Sequence, residues 1–337
     1  MRTPPRDQRS TRPTRSPRSA STLLAGLATV LLLAACAGQP DPIEVVVEPA
    51  SFDLAVGDDQ RLLVGLFTNE LQLVAHGEVQ VQLAYLADGS EASGEIEQVA
   101  TAAFVPVPGG DVGEVTQDPS LVQDTGTGVY ATTVDLDRAG IWGVRVLGEL
   151  EDGTPFEGNR RFPVLEEHLV PAPGDDAPRV DNATMADLEA GLVDAVALDS
   201  RAQASNAEIP HPHLHQTTVA GSIDAGRPVV VAVATPVYCR TRFCGPLTDV
   251  LAELATTYDD RADFVHLEVW EDFDTQTLNE AAAAFIQTET GGNEPWVFLV
   301  GADGRVIERW DNILDLDALV AELEALPVLD DAEAAGP

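Results

Sequence analysis

Three cysteines, Cys36, Cys239 and Cys244, and three closely spaced histidines, His211, His213 and His215, are the side chains of this 337-residue chain best placed by type and spacing to do chemistry. Cys239-Arg240-Thr241-Arg242-Phe243-Cys244 sets two thiols five residues apart with two arginines between them. Such a pair has three uses: disulfide exchange, a structural staple, or metal ligation. The arginines favour the first, because a neighbouring cation favours the thiolate over the thiol. They are also scarce, since all 19 basic residues are arginine, set against 56 Asp and Glu. Cys244 lies two residues before Pro246, a residue that suits the first turn of a helix. A helix N-terminus presents unpaired N–H groups and a positive dipole end, which again favour a thiolate.

The histidines open a second chemistry. In an extended chain alternate residues face one way, so His211, His213 and His215 could converge on a metal. The alternative is a polar loop in which His215 packs locally. His266 lies in an apolar strand and reads as a core histidine. Carboxylates are too numerous for one pair to stand out, and Glu268, Glu271, Asp272 and Asp274 read as a solvated cluster. The chain contains no Gly-rich phosphate loop, no His-Glu-x-x-His and no Gly-x-Ser-x-Gly. No cofactor is therefore expected. A formal charge of −37 would repel phosphates, which excludes nucleic acid as a partner.

The N-terminus reads as an address. Residues 1–35 hold six arginines and one acid, leaving 13 basic and 55 acidic residues beyond them. Leu23 to Ala35 is an apolar run too short to span a bilayer, which needs about 20 residues, and it fits the core of a secretory signal. Leu33-Ala34-Ala35-Cys36 resembles the lipobox of bacterial lipoproteins, in which the cysteine is lipidated and becomes the new N-terminus. The resemblance implies a signal peptide over 1–35, a lipid on Cys36, a tether over 36–42, and a place on the extracytoplasmic face of the cell membrane. With Cys36 committed to lipid, Cys239 and Cys244 remain as an even pair in a compartment where disulfides persist.

The elements that must position this pair follow in order. Residues 43–165 read as about seven short strands without helices. The clearest is Val79 to Tyr85, which alternates as a half-buried strand does. Residues 86–127 read as a long polar stretch. Asp137-Arg138-Ala139-Gly140 reads as a hairpin turn. The segment from Gly128-Val129-Tyr130 to Ile141-Trp142-Gly143-Val144-Arg145-Val146 resembles the immunoglobulin-like accessory domains of bacterial exported proteins, which implies a β-sandwich with Tyr130 and Trp142 as core aromatics. Residues 166–208, rich in Pro, Asp and Ala, read as a linker.

Residues 209–328 alternate strand and helix signals. Val229 to Ala234 is a continuous apolar run, as in a buried strand, and Leu316, Leu319, Leu323 and Leu326 mark one face of a terminal helix. Residues 329–337 form an acidic tail. The strand, cysteine loop and helix from Val229 to Leu254, with Glu294-Pro295-Trp296-Val297-Phe298-Leu299-Val300-Gly301-Ala302-Asp303-Gly304 later, resemble thioredoxin-like proteins. The resemblance implies an α/β domain, exchange of disulfides through Cys239 and Cys244, and a groove lined by a cis-proline at Pro295. The spacing departs from that family's Cys-x-x-Cys, which leaves open which cysteine attacks. Copper-assembly members place a histidine shortly before the hairpin, and residues 287–297 hold none.

The expected fold is thus an all-β immunoglobulin-like sandwich followed by an α/β thioredoxin-like domain. The expected activity is thiol–disulfide exchange with exported proteins, in which Arg240 and Arg242 lower the thiol pKa and an external reductant is not identifiable. The rival reading is a non-enzymatic cell-surface lipoprotein with Cys239–Cys244 as a staple. A weaker one is metal handling.

Overall fold

Alternation builds the first half of the chain. In the strand Glu78–Tyr85, Val79, Val81 and Leu83 are buried while Glu78 and Gln80 face water, the period-2 signature of a sheet with one face in a core. The computed structural model describes residues 41–87, 94–109, 116–123, 127–203, 208–287 and 292–329. Residues 1–40, with the expected signal segment and Cys36, and the tail from 330 lie outside the described residues. Among the described residues no helix is long and apolar enough to cross a membrane.

The strands are β1 (Ile43–Pro49), β2 (Gly57–Thr68), β3 (Leu73–Ala75), β4 (Glu78–Tyr85), β5 (Gln98–Pro106), β6 (Ser120–Val122), β7 (Gly128–Leu136), β8 (Gly140–Glu149) and β9 (Pro155–Val164). Seven of them run in the order β1-β9-β8-β4-β5-β7-β2, and β2 pairs back onto β1. The ring is closed: β1 lies antiparallel to β2 on one side and parallel to β9 on the other. β3 and β6 extend β2 as a side flap. Tyr130 and Trp142 fill the barrel, and each finds a partner for its polar end. The Tyr130 hydroxyl donates to the His76 carbonyl at 2.7 Å, and the Trp142 indole N–H donates to the Arg138 carbonyl at 3.0 Å.

The seam where the barrel closes needs a bare backbone. At Gly158 in β9 a Cβ would run into the carbonyl oxygen of Val45 in β1. Gly158→Ala is expected to lower stability by about 1–3 kcal/mol, the usual cost of overpacking. Urea unfolding measures it, and a loss under about 0.5 kcal/mol would show that the seam yields freely.

The second half contains β10 (Val229–Ala234), β11 (Asp263–Glu268), β14 (Trp296–Val300) and β15 (Val306–Asp311), in the sheet order β11-β10-β14-β15. A small hairpin, β12 (Trp270–Asp272) with β13 (Thr277–Leu278), stands apart from that sheet. The helices are α1 (Met185–Glu189), α2 (Val219–Asp224), α3 (Cys244–Thr257), α4 (Glu280–Ile286) and α5 (Leu316–Ala325). β10 is buried along its whole length because both its faces are covered. Val229, Val231 and Val233 pack with α2 and α4, while Val230 and Ala232 pack with α3 and α5.

The first part is all-β as expected, but the expected architecture is corrected in both parts. The first strands do not form an immunoglobulin-like sandwich of two sheets, because β1 bridges β9 and β2 and closes one barrel. Nor is a helical α/β thioredoxin-like domain evident. The described residues are mostly β, 39% strand against 18% helix, and those from Pro42 onward belong to one compact unit. The Ala-rich helix α4 starts at Glu280, after the β12–β13 hairpin, where the Asn279 side chain caps it by accepting from the Ala281 N–H.

Two further segments differ from expectation. The polar stretch 86–127 contains β5, a full strand of the barrel. The described residues of the Pro- and Asp-rich stretch 166–208 are packed rather than loose, with Val170, Ala177, Leu198, Asp199 and Ser200 buried. Polar contacts tie the barrel to the second sheet. Arg61 donates to the Ile313 carbonyl at 2.9 Å and faces Asp311, and the Asn312 amide donates to the Ala50 carbonyl at 3.0 Å.

Candidate functional site

Cys239 and Cys244 are joined as a disulfide, with their Cα atoms 6.0 Å apart. β10 ends at Ala234, and the chain then turns through residues 235–243 into α3. The helix begins at Cys244 itself, two residues earlier than Pro246 suggested. Its cap is Phe243, whose side chain makes no capping hydrogen bond. The first-turn N–H groups therefore lack an intrahelical partner. One of them, on Cys244, points at the Cys239 Sγ at 3.4 Å, and the Thr241 hydroxyl lies 3.4 Å from the same sulfur.

The two sulfurs sit in different surroundings. Cys244 is fully buried and Cys239 is only partly covered. Arg240 and Arg242 are exposed on the loop between them, and Arg242 takes a left-handed backbone with φ 68°. Pro295 follows a cis peptide bond from Glu294 and is buried at the start of β14. Burial pushes the Glu294 carboxyl up, and the nearby charge of Arg240 pulls it back, so the Cys239 loop and the Pro295 loop are electrostatic neighbours.

The loop is held on several sides. Phe243 packs against the barrel residues Leu63, Val107 and Val129, together with Ile313. Tyr238 stacks on Phe273 with ring centroids 3.8 Å apart. The Val237 N–H donates to the Ser200 hydroxyl at 3.1 Å, and the Ser200 N–H donates to the Glu268 carboxylate at 2.8 Å. Glu268 is fully buried rather than part of a solvated cluster. Burial pushes its pKa up to about 7, partly offset by hydrogen bonds from Thr235 and Ser200. In the sequence the signal for this was its position at the end of the apolar run Phe264-Val265-His266-Leu267.

The three histidines weighed as weak candidate ligands do not converge. His213, Leu214 and His215 lie in a 3-10 turn, Pro212–His215, rather than an extended strand, so their side chains fan out. His211 pairs with Asp249 at 2.7 Å, and His213 contacts the Ala252 carbonyl at 3.0 Å. Only His215 turns into the core, where it meets His266 with ring centroids 5.3 Å apart. Burial drives the His215 pKa down to about 3, and the neighbouring His266 adds to the effect. Burial also lowers His266. Both imidazoles are therefore neutral at physiological pH.

No family model matches the chain, and no curated protein matches it. Among solved structures it is similar to a "putative superoxide reductase" from Thermotoga maritima, at 16% sequence identity over 37% of this chain and 89% of that one, with a TM-score of 0.20.

Proposed function

We propose that the chain performs thiol–disulfide exchange with exported proteins, through Cys239 and Cys244, on the outer side of a membrane to which lipid on Cys36 tethers it. The observation that carries the reading is the asymmetry of the pair. Cys239 is the sulfur a partner can reach, and a free helix N–H aims at it. A donor there stabilises a thiolate on Cys239, which makes it both the better nucleophile and the better leaving group. The charge of Arg240 and Arg242 in the same loop acts in the same sense.

In the dithiol form the Cys239 thiolate attacks one sulfur of a substrate disulfide. That S–S bond breaks, a mixed disulfide forms, and the departing substrate thiolate takes a proton. The Cys244 thiolate then attacks the Cys239 sulfur and releases the second substrate thiolate. The substrate gains two electrons and the protein is left with the Cys239–Cys244 disulfide. An external dithiol must supply two electrons for another cycle. Run backwards, the same steps oxidise a substrate dithiol.

Insulin reduction in the presence of dithiothreitol, together with the Cys239–Cys244 reduction potential, tests the reading. Turnover above background with a potential between about −120 and −270 mV is expected. A potential well below about −300 mV without turnover identifies a structural staple and overturns it.

A further inference from the structure

We propose that Asp199, His215 and His266 form a buried site for a divalent transition-metal cation of the zinc class. One candidate ligand atom from each residue lies within 4.8 Å of the others, and all three residues are buried. The Asp199 Oδ2 and the His266 Nδ1 are 4.0 Å apart. Two imidazole nitrogens and one carboxylate are a donor set suited to zinc and its first-row neighbours.

The second observation is what these imidazoles lack. His215 has no hydrogen-bond partner on either ring nitrogen, and His266 has none on Nδ1. All three atoms are buried, and a buried polar atom left unpaired costs free energy. His266 also shows the outer arrangement of a ligating histidine. Its Nε2–H donates to the Ala234 carbonyl at 3.1 Å, which fixes the tautomer and leaves the Nδ1 lone pair free on the side of Asp199. Asp199 is held in turn by Arg201, whose Nε donates to Oδ1 at 3.0 Å and whose terminal nitrogen donates to Oδ2 at 2.7 Å. The Arg201 backbone N–H also donates to Oδ1 at 2.8 Å and the Nε–H is shared with Oδ2 at 3.2 Å, so three donors take three of the carboxylate's about four lone-pair sites and one is left for a cation.

The three ligands come from distant points of the chain. Asp199 belongs to the packed stretch before α2, His215 ends the 3-10 turn, and His266 lies in β11. A cation there would clasp both irregular segments to the sheet. Full burial leaves no path for a substrate, so the role is structural.

Titration of the full chain with Co²⁺ tests this, with the Cys239–Cys244 disulfide closed so that no thiol competes. Excess Mg²⁺ is present to occupy surface carboxylates. One Co²⁺ per chain is expected, with visible d–d absorption, displacement by Zn²⁺ and a raised Tm. His215→Gln and His266→Gln are each expected to abolish the absorption and the rise in Tm. The double variant His211→Ala with His213→Ala is expected to keep both. Because a core variant can misfold, the wild-type chain labelled with ¹⁵N-histidine gives a separate readout: Zn²⁺ should shift the Nδ1 resonance of His266. No stoichiometric binding above Mg²⁺, an unshifted His266 Nδ1, or binding that survives in folded His215→Gln and His266→Gln overturns the proposal.

Discussion

Cys239→Ser is expected to bring disulfide exchange to background, whereas Cys244→Ser is expected to stop turnover after the first step and accumulate a mixed disulfide with substrate. The difference follows from placement. Cys239 is partly covered and takes the Cys244 N–H, while Cys244 is fully buried at the start of α3. A partner disulfide can approach the first sulfur, and only the first sulfur is near enough to reach the second. Mass spectrometry of the trapped adduct checks the assignment. In the reduced wild-type protein, iodoacetamide should label Cys239 at least about tenfold faster than Cys244, because reaction requires an accessible thiolate. An adduct on Cys244 in the Cys239→Ser protein, or equal labelling of the two, would sink the assignment.

Arg309→Met is expected to cost about 3–5 kcal/mol of stability, the scale for removing one partner of a buried ion pair. Arg309 donates to the Asp53 carboxylate at 2.9 Å and to the carbonyls of Val170 and Pro171 at 3.1 and 3.2 Å. It also lies over the Trp296 ring at 5.2 Å. Its side chain is 10% exposed and that of Asp53 only 3%, so the abandoned carboxylate would have little water to turn to. His168 Nδ1 sits 2.7 Å from an Arg309 nitrogen and 3.3 Å from Asp53. The Leu169 N–H donates to the same carboxylate at 3.0 Å. Burial raises Asp53, and the hydrogen bonds from His168 and the Leu169 N–H, with the charge of Arg309, outweigh it and hold the group below the usual carboxylate range.

The sign of the pH dependence follows. A depressed folded-state pKa stabilises the protein above the unfolded value, 3.8 for Asp, and that stability is lost as pH falls through the folded value. In Arg309→Met the share of the depression that Arg309 supplies is lost, so the deficit against wild type should be large near neutrality and shrink in acid. The double variant Arg309→Met with Asp53→Asn should recover more than half of the loss at pH 7. Urea unfolding of the three proteins at several pH values measures both effects. A deficit under about 1 kcal/mol at neutrality would put the pair among weak surface bridges.

Local pattern carried much of this molecule. Val79, Val81 and Leu83 announced β4 by alternation, and the unbroken apolar run Val229 to Ala234 announced a strand covered on both faces. Asp303-Gly304 marked the turn between β14 and β15, and Gly304 does take a positive φ of 83°. What pattern could not carry was pairing. Whether β1 ends a sandwich or closes a barrel depends on its second partner more than a hundred residues away, and no local period encodes that. β5 was missed because Gln98, Ala100, Thr101, Ala102 and Ala103 are small or polar and alternate weakly, although barrel closure passes through it. The stretch 166–208 has the composition of a linker, yet Asp199 and Ser200 are buried by partners at Arg201, Val237 and Glu268. His215 was visible as one of three, but the residues it meets lie 16 positions before it and 51 after. At the cysteines the pair and its arginines were legible in the sequence, and the structure added which sulfur is open.

Phe243 touches the barrel while its neighbour Cys244 begins the helix. The loop between the cysteines therefore has one wall made by another half of the chain. Residues 166–329 produced alone would turn Phe243 and Ile313 outward to water, and the span from Cys239 to Cys244 would relax. Closing the ring on a relaxed span costs more entropy than closing it on a braced one. The barrel thus biases the electron affinity of a disulfide to which it contributes no atom, and the severed half should hold its two electrons more tightly than the intact chain.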